Sequence, residues 1–165
     1  MKKVFIPLFV FSFLFALGCE QSQATEPATT TQNNSSSGVL QKPVFDKIVE
    51  AHQNLVDVFA TQNADAMAAL YTQDAQLMPP NGDFITGNAA VGAFWASMFT
   101  AGFDGLTIET LEVYGSGNNA AEVGLWALSM NGEQVDNGKF IVIWKKIQGK
   151  WYVHRDCFNS NNPAQ

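Results

Sequence analysis

Cysteine is nearly absent: Cys19 and Cys157 are the only two in 165 residues. They lie in segments of different character, so no disulfide can brace the folded part, which has to rest on its hydrophobic core. Histidine also occurs only twice, as His52 and His154, and no Cys/His cluster shows metal-ligand spacing. There is no Gly-rich phosphate loop, no Gly-x-Ser-x-Gly and no internal repeat. No metal and no cofactor is expected. Positive charge is scarce, with nine Lys and Arg against fifteen Asp and Glu, a net charge of −6. Nucleic acid is therefore not an expected partner, and an electrostatic grip on anionic lipid is disfavoured.

What the chain does have begins with an apolar N-terminus. Lys2 and Lys3 precede an almost wholly apolar run from Val4 to Leu17, and Ala16-Leu17-Gly18-Cys19 follows. That is the anatomy of a secretory signal, with a run too short for a comfortable bilayer span. A small residue before a cysteine at this place resembles the lipobox of bacterial lipoproteins, in which the cysteine is lipidated. Residues 1–18 thus read as a signal peptide with lipobox, and Cys19 as the lipidation site. The alternative is an ordinary signal in which Cys19 is incidental. Residues 19–38 are rich in Gln, Thr, Ser and Asn without apolar periodicity and read as a flexible tether. Residues 39–165 are the size of one domain with a real core. Without Lys2 and Lys3 the chain carries seven basic and fifteen acidic residues, a balance of −8. The expected location is the cell envelope, lipid-anchored and facing the periplasm. Glu20, where an aspartate would retain the protein at the inner membrane, favours the outer one.

Phe45, Ile48, Val49, His52, Leu55, Val56 and Phe59 follow one helical face, with Pro43 at its start. Asn63 suits the N-cap of a short second helix from Ala64 to about Tyr71. A strand from Ala75 to Met78 leads into Pro79-Pro80-Asn81-Gly82. A third helix over about Ala89–Thr100 buries Val91, Phe94, Trp95, Met98 and Phe99, and Gly102 can end it. From Phe103 onward the pattern is β. Leu106 and Ile108 keep one phase while Leu111 and Val113 take the other, which predicts a bulge. Ala121–Met130 is the next strand, and Asn131-Gly132 and Asn137-Gly138 both offer turn chemistry. Residues 138–146 and 150–160 are joined by Ile147-Gln148-Gly149 alone, which forces an antiparallel hairpin. The expected fold is α+β: three N-terminal helices on the concave face of a strongly bent antiparallel sheet, a cone with an apolar pocket.

The chain resembles the SnoaL-like, DUF4440 branch of the NTF2-like superfamily. The residues that carry the resemblance are Asn63 through Ala75, Gly87, Ala93-Phe94-Trp95, Glu122-Val123-Gly124, Asp136-Asn137-Gly138-Lys139-Phe140, Trp144-Lys145, Trp151, Arg155-Asp156 and Asn159-Ser160. They span nearly the whole domain in order. Cys157-Phe158 depart from the pattern, which has an aliphatic residue and a tryptophan there. The resemblance implies the cone fold and a small ligand. It leaves the reaction open, because the superfamily holds isomerases, cyclases, dehydratases and non-catalytic modules.

Asp156 is the first catalytic candidate. The resemblance implies a pocket aspartate that removes a proton made acidic by a carbonyl; the bland alternative is a carboxylate that holds Arg155 or a loop amide. His154 and His52 are candidate polarisers. His154 and Asp156 are expected to face the pocket together only if a bulge intervenes; otherwise one is inside and the other meets solvent or a partner chain, and alternation puts Arg155 on the face opposite Asp156. His52 is either a core histidine bonded to a backbone carbonyl or a polar group at a cavity mouth. Glu122 is a candidate pocket carboxylate, or else an ion pair with Lys139. Trp126, Trp144, Tyr71 and Asn159 complete the candidate ligand pocket, the tryptophans having core or dimer-interface roles as the alternative. Asp74 reads as a turn residue and Cys157 as a buried small hydrophobe. The sequence thus predicts a lipid-anchored domain for a small, largely apolar or carbonyl ligand, an enzyme of isomerase or cyclase type or a non-catalytic binding or assembly module. Aromatics on both strand faces predict a homodimer.

Overall fold

The computed structural model describes residues 42–163. The signal, lipobox and tether expectations fall outside that range. Three helices, α1 (Lys42–Ala60), α2 (Ala64–Ala68) and α3 (Asn88–Thr100), pack against strands β1 (Tyr71–Met78), β2 (Ile85–Thr86), β3 (Phe103–Ser116), β4 (Asn119–Met130), β5 (Glu133–Ile147) and β6 (Lys150–Ser160). Helix α1 forms because its apolar positions recur at helical spacing, and Ile48, His52, Leu55 and Phe59 are the members that become buried. Asn63 caps α2, its side chain accepting from the Ala66 amide at 2.9 Å.

Helix α2 stops at Ala68, three residues before the expected Tyr71. Tyr71 is instead the first residue of β1, because the Leu70 carbonyl accepts from the Val153 amide at 3.0 Å and Tyr71 pairs with Val153. Tertiary pairing overrides a weak helical preference there. The strand pairing also corrects the all-antiparallel expectation. The order is β2-β1-β6-β5-β4-β3, and β1 runs parallel to β6 while every other pair is antiparallel. Asp74, expected in a turn, is an exposed residue inside β1.

The pairing shifts register at five places, among them three that bend the long strands. One lies between Thr110 and Glu112 of β3, where the phase change in the sequence predicts it; Leu111 itself is exposed while Val113 is buried. A second lies between Leu128 and Ser129, where Asp136 and Gln134 are their partners on β5. The third lies between Ile143 and Trp144, whose partners on β6 are Arg155 and Val153, so that His154 is the extra residue. Each adds local twist and curls the sheet around the helices. The β5–β6 connection is the two-residue turn Gln148-Gly149, with φ of 50° and 86°, tighter than the three-residue link expected. Asn131-Gly132 makes the matching turn between β4 and β5. Asn137-Gly138, by contrast, lies within β5. Gly138 is there because a Cβ would stand 1.7 Å from the Asn159 carbonyl oxygen and 2.9 Å from Trp126 Nε1.

The concave face carries Leu106, Ile108, Thr110 and Val113 of β3, Glu122, Trp126 and Leu128 of β4, Phe140, Val142 and Trp144 of β5, and Val153 of β6. Trp126 and Trp144 are buried within the chain itself, which removes them as groups that a second copy would have to cover. Leu125 and Ile141 are exposed on the outer face, and Leu111, Tyr114, Val135 and Ile147 are further exposed large apolar side chains on the strands.

Candidate functional site

A cavity of about 50 Å³ lies between the helices and the sheet. Leu55 of α1, Phe94, Trp95 and Met98 of α3, Leu106, Ile108, Leu128, Phe140, Val142 and Val153 make it apolar, and His52, Tyr71, Trp126, Asp156 and Phe158 complete its lining. The bulge at His154 decides what the last strand contributes. Val153 and Asp156 have opposite parity, yet both reach the cavity because one extra residue stands between them.

Asp156 is the one carboxyl group in that lining. Desolvation pushes it up from its ordinary 3.8 to about 6, opposed by the hydrogen bond from Tyr71 and by the nearby His52, and assisted by Glu122. The Tyr71 hydroxyl donates to Asp156 Oδ2 at 2.8 Å. Burial, and then the neighbouring Asp156, hold the Tyr71 phenol well above its ordinary 10, so it stays a donor. The Trp95 indole N–H stands close enough to the Tyr71 oxygen to weigh slightly against that shift, but it makes no hydrogen bond there. Trp95 Nε1 and Trp126 Nε1 are buried donors with no hydrogen-bond partner among the described residues, and both rings line the cavity. A buried N–H left unmade costs about 1–3 kcal/mol, so two of them in one cavity wall are unusual.

His52 is joined to Glu122, not to a backbone carbonyl. Its Nδ1 lies 2.9 Å from Glu122 Oε2, where the Trp144 indole also donates at 2.7 Å, and the Thr110 hydroxyl donates to Oε1 at 2.6 Å. Trp144 can only donate, so Glu122 serves as the acceptor of the group. Nδ1–H of His52 completes the set, which leaves Nε2 as the nitrogen that can accept on the cavity side. Phe140 and Trp144 hold the imidazole edge-on, with ring centroids at 5.1 and 5.5 Å. Glu122 itself is fully buried behind the cavity wall and does not line it, and Lys139, its expected alternative partner, donates instead to Asn161 at 2.7 Å.

Four further expectations are corrected. His154 does not reach the cavity: it is the bulged residue, its Nδ1 lies 2.9 Å from Thr72 Oγ1 and 3.1 Å from Arg155 Nη1, and Asp74 is 3.6 Å away. Burial, and next Arg155, keep it below its ordinary value. Asn159 is exposed and donates to the Ser160 carbonyl, because the strand turns its side chain outward. Trp144 backs Glu122 and stands outside the cavity lining. Cys157 is exposed, not buried. Sequence reasoning also passed over two contributors. Trp95 was visible only as one member of a buried helical stripe, and Thr110 had one signal, a hydroxyl in the apolar phase begun by Leu106 and Ile108.

No cluster of three or more His, Cys, Asp or Glu that could hold a metal occurs among the described residues, and none of their helices is long and apolar enough to cross a membrane.

Residues 52–154 match the model of the SnoaL-like domain family. No curated protein matches the chain in sequence. Among solved structures it is similar to an NTF2-like protein of unknown function from Shewanella oneidensis, at 23% identity and a TM-score of 0.61, covering 70% of this chain and 98% of that one. It is similar to a ketosteroid isomerase-like protein from Erwinia carotovora, at 21% identity and a TM-score of 0.61 over 72% of this chain and 96% of that one. A putative scytalone dehydratase from Novosphingobium aromaticivorans is 16% identical with a TM-score of 0.60, covering 73% and 86%. At these identities the likeness shows the fold. The fold is NTF2-like, and the chain belongs to the SnoaL-like domain family.

Proposed function

We propose that the cavity binds a small, largely apolar carbonyl compound and that Asp156 moves a proton on it. The observation that carries this reading is a carboxyl group held at about 6 inside an apolar cavity, where it is ionised near neutral pH yet basic enough to take a proton from carbon. The two unpartnered indole donors support a ligand oxygen as the second half of the reaction. In the step, a C–H bond beside the carbonyl breaks and its proton passes to Asp156. The electron pair moves onto the carbonyl oxygen, toward the Trp95 and Trp126 N–H groups. Return of the proton at another carbon makes an isomerase; capture of the carbanion by a second carbonyl makes a cyclase. His52 enters as a second proton acceptor through Nε2, oriented by Glu122, rather than as the polarising donor that the sequence suggested.

Of the non-catalytic readings, ligand binding or assembly, the assembly role has one observation in its favour. At about 50 Å³ the cavity is well below the usual range of roughly 300–1,000 Å³ for ligand pockets. Exchange in heavy water separates the two. The protein incubated with 2-cyclohexenone in D₂O should speed deuterium uptake at the carbons activated by the carbonyl, followed by proton NMR, and Asp156→Asn should lose about a hundredfold or more of that rate. Exchange no faster than buffer, with this ketone bound, would leave the binding role.

Within the superfamily the DUF4440 branch is our assignment, from the run Asp136 to Phe140 with Trp144 and Trp151. The envelope location is likewise our reading of residues 1–19. Cys19→Ala should release the protein from the membrane fraction, and a variant that stays bound would refute lipid anchoring. The proposed protein partner is a second copy across the outer sheet face, where Leu125 and Ile141 are exposed. Light scattering at tens of micromolar should give twice the chain mass; a single chain mass would exclude the dimer.

A further inference from the structure

A second space, larger than the cavity that holds Asp156, opens elsewhere on the domain. A groove of about 440 Å³ runs between α1 and the β5–β6 turn, lined by Lys47, Glu50, Asn54, Leu55, Trp144, Lys150 and Trp151, with Leu70 at its floor. That volume is within the usual range of about 300–1,000 Å³ for small-molecule sites. Leu55 lines both spaces and is buried, so it partitions the groove from the cavity.

The chemistry of the groove differs from that of the cavity. Its floor is apolar and aromatic, with Trp151 able to present an indole face to a flat ring. Its rim is polar, and it gathers cations on a chain whose net charge is −6. Lys47 and Lys150 line it, and Lys146 stands 5.7 Å from the Trp151 ring centroid. Glu50 already answers Lys47, at 2.6 Å. The Lys150 ammonium rests 5.1 Å from the Tyr152 ring centroid, a weak hold that an anion can replace. The charge balance of the lining, two lysines against one glutamate, suits one negative charge rather than several. Asn54 adds an amide that can donate to the same anion or to a ring substituent.

We propose that this groove is a second binding site, for an aryl monocarboxylate whose ring lies on Trp151 and whose carboxylate meets Lys150. It is separate from the site of Asp156 and does not depend on what happens there.

Trp151 reports on the groove, and Trp95 and Trp126 on the cavity, while the Trp144 N–H is held by Glu122 between them. Trp144 and Trp151 line the groove, and Trp95 and Trp126 line the cavity. Titration of the ¹⁵N-labelled full chain with 1-naphthoate should move the Trp151 indole N–H signal and leave those of Trp95 and Trp126 in place, with a Kd of about 1 mM or tighter. The neutral 1-naphthylmethanol should bind at least about tenfold more weakly, and Lys150→Glu should weaken 1-naphthoate binding by at least about tenfold. Lys150 is exposed at a turn, so this variant keeps the fold and the other three indole signals verify it. Shifts at Trp95 and Trp126 instead would put the ring in the cavity and overturn the proposal. So would the absence of any shift, or equal binding of acid and alcohol.

Discussion

Asp156→Asn should raise stability by about 1–2 kcal/mol at pH 7.5 and leave it nearly unchanged at pH 3.5. The cause is the desolvated carboxyl, whose pKa stands at about 6 in the folded chain against an ordinary 3.8. Because the folded state holds the proton more tightly, the native protein binds more protons than the unfolded one between those values. Stability therefore falls as pH rises through that window, and above about 6 the full penalty of ionising the buried group is present. A shift of this size would correspond to about 3 kcal/mol; local relaxation and the partial accessibility of Asp156 reduce it. Asparagine keeps an oxygen to accept from Tyr71 and has no proton to lose. Urea unfolding of both proteins at the two pH values measures it. Equal stability at pH 7.5, or a loss of more than about 1 kcal/mol there, would mean that the Asp156 anion is stabilised by its surroundings.

Glu122→Leu should have the larger effect, a loss of about 3–5 kcal/mol, enough to leave a domain of this size marginal. Leucine fits the space approximately but accepts nothing. It strands His52 Nδ1, the Trp144 indole and the Thr110 hydroxyl, all of which meet at the Glu122 carboxyl. Glu122→Gln keeps one acceptor oxygen and should cost less, about 1–2 kcal/mol. Chemical denaturation of the three proteins orders them wild type, Gln, Leu. A Leu variant as stable as wild type would show that the buried group contributes nothing net, an outcome known for buried ion pairs elsewhere.

The two carboxyl groups were legible in the sequence to different degrees. Asp156 could be picked out because acid–base residues crowd a strand otherwise aromatic. Its face could not be fixed, since that depends on the bulge at His154, and a bulge leaves no mark in hydrophobic alternation when the residue inserted is itself polar. Glu122 stood out as an acid on an apolar face, but its partner did not, because His52 is 70 residues away on a helix and only the closed fold brings them together. Lys139 seemed the nearer partner on the adjacent strand; register puts it opposite Leu125, on the outer face. Helix α1, the β5–β6 hairpin and the irregularity at Leu111 follow from local period and turn chemistry, which is why they could be read directly. The parallel pairing of β1 with β6 could not be, because it joins segments at opposite ends of the domain and no local rule encodes it.

The direct test of a desolvated base in the cavity is the titration of Asp156 itself, followed by the ¹³C shift of its carboxyl carbon in the folded protein. The expected midpoint is about 6, with a smaller companion shift in the Tyr71 ring signals as its hydrogen bond changes. A midpoint at or below the ordinary 3.8 would make Asp156 a stabilised structural anion and contradict its role as the base.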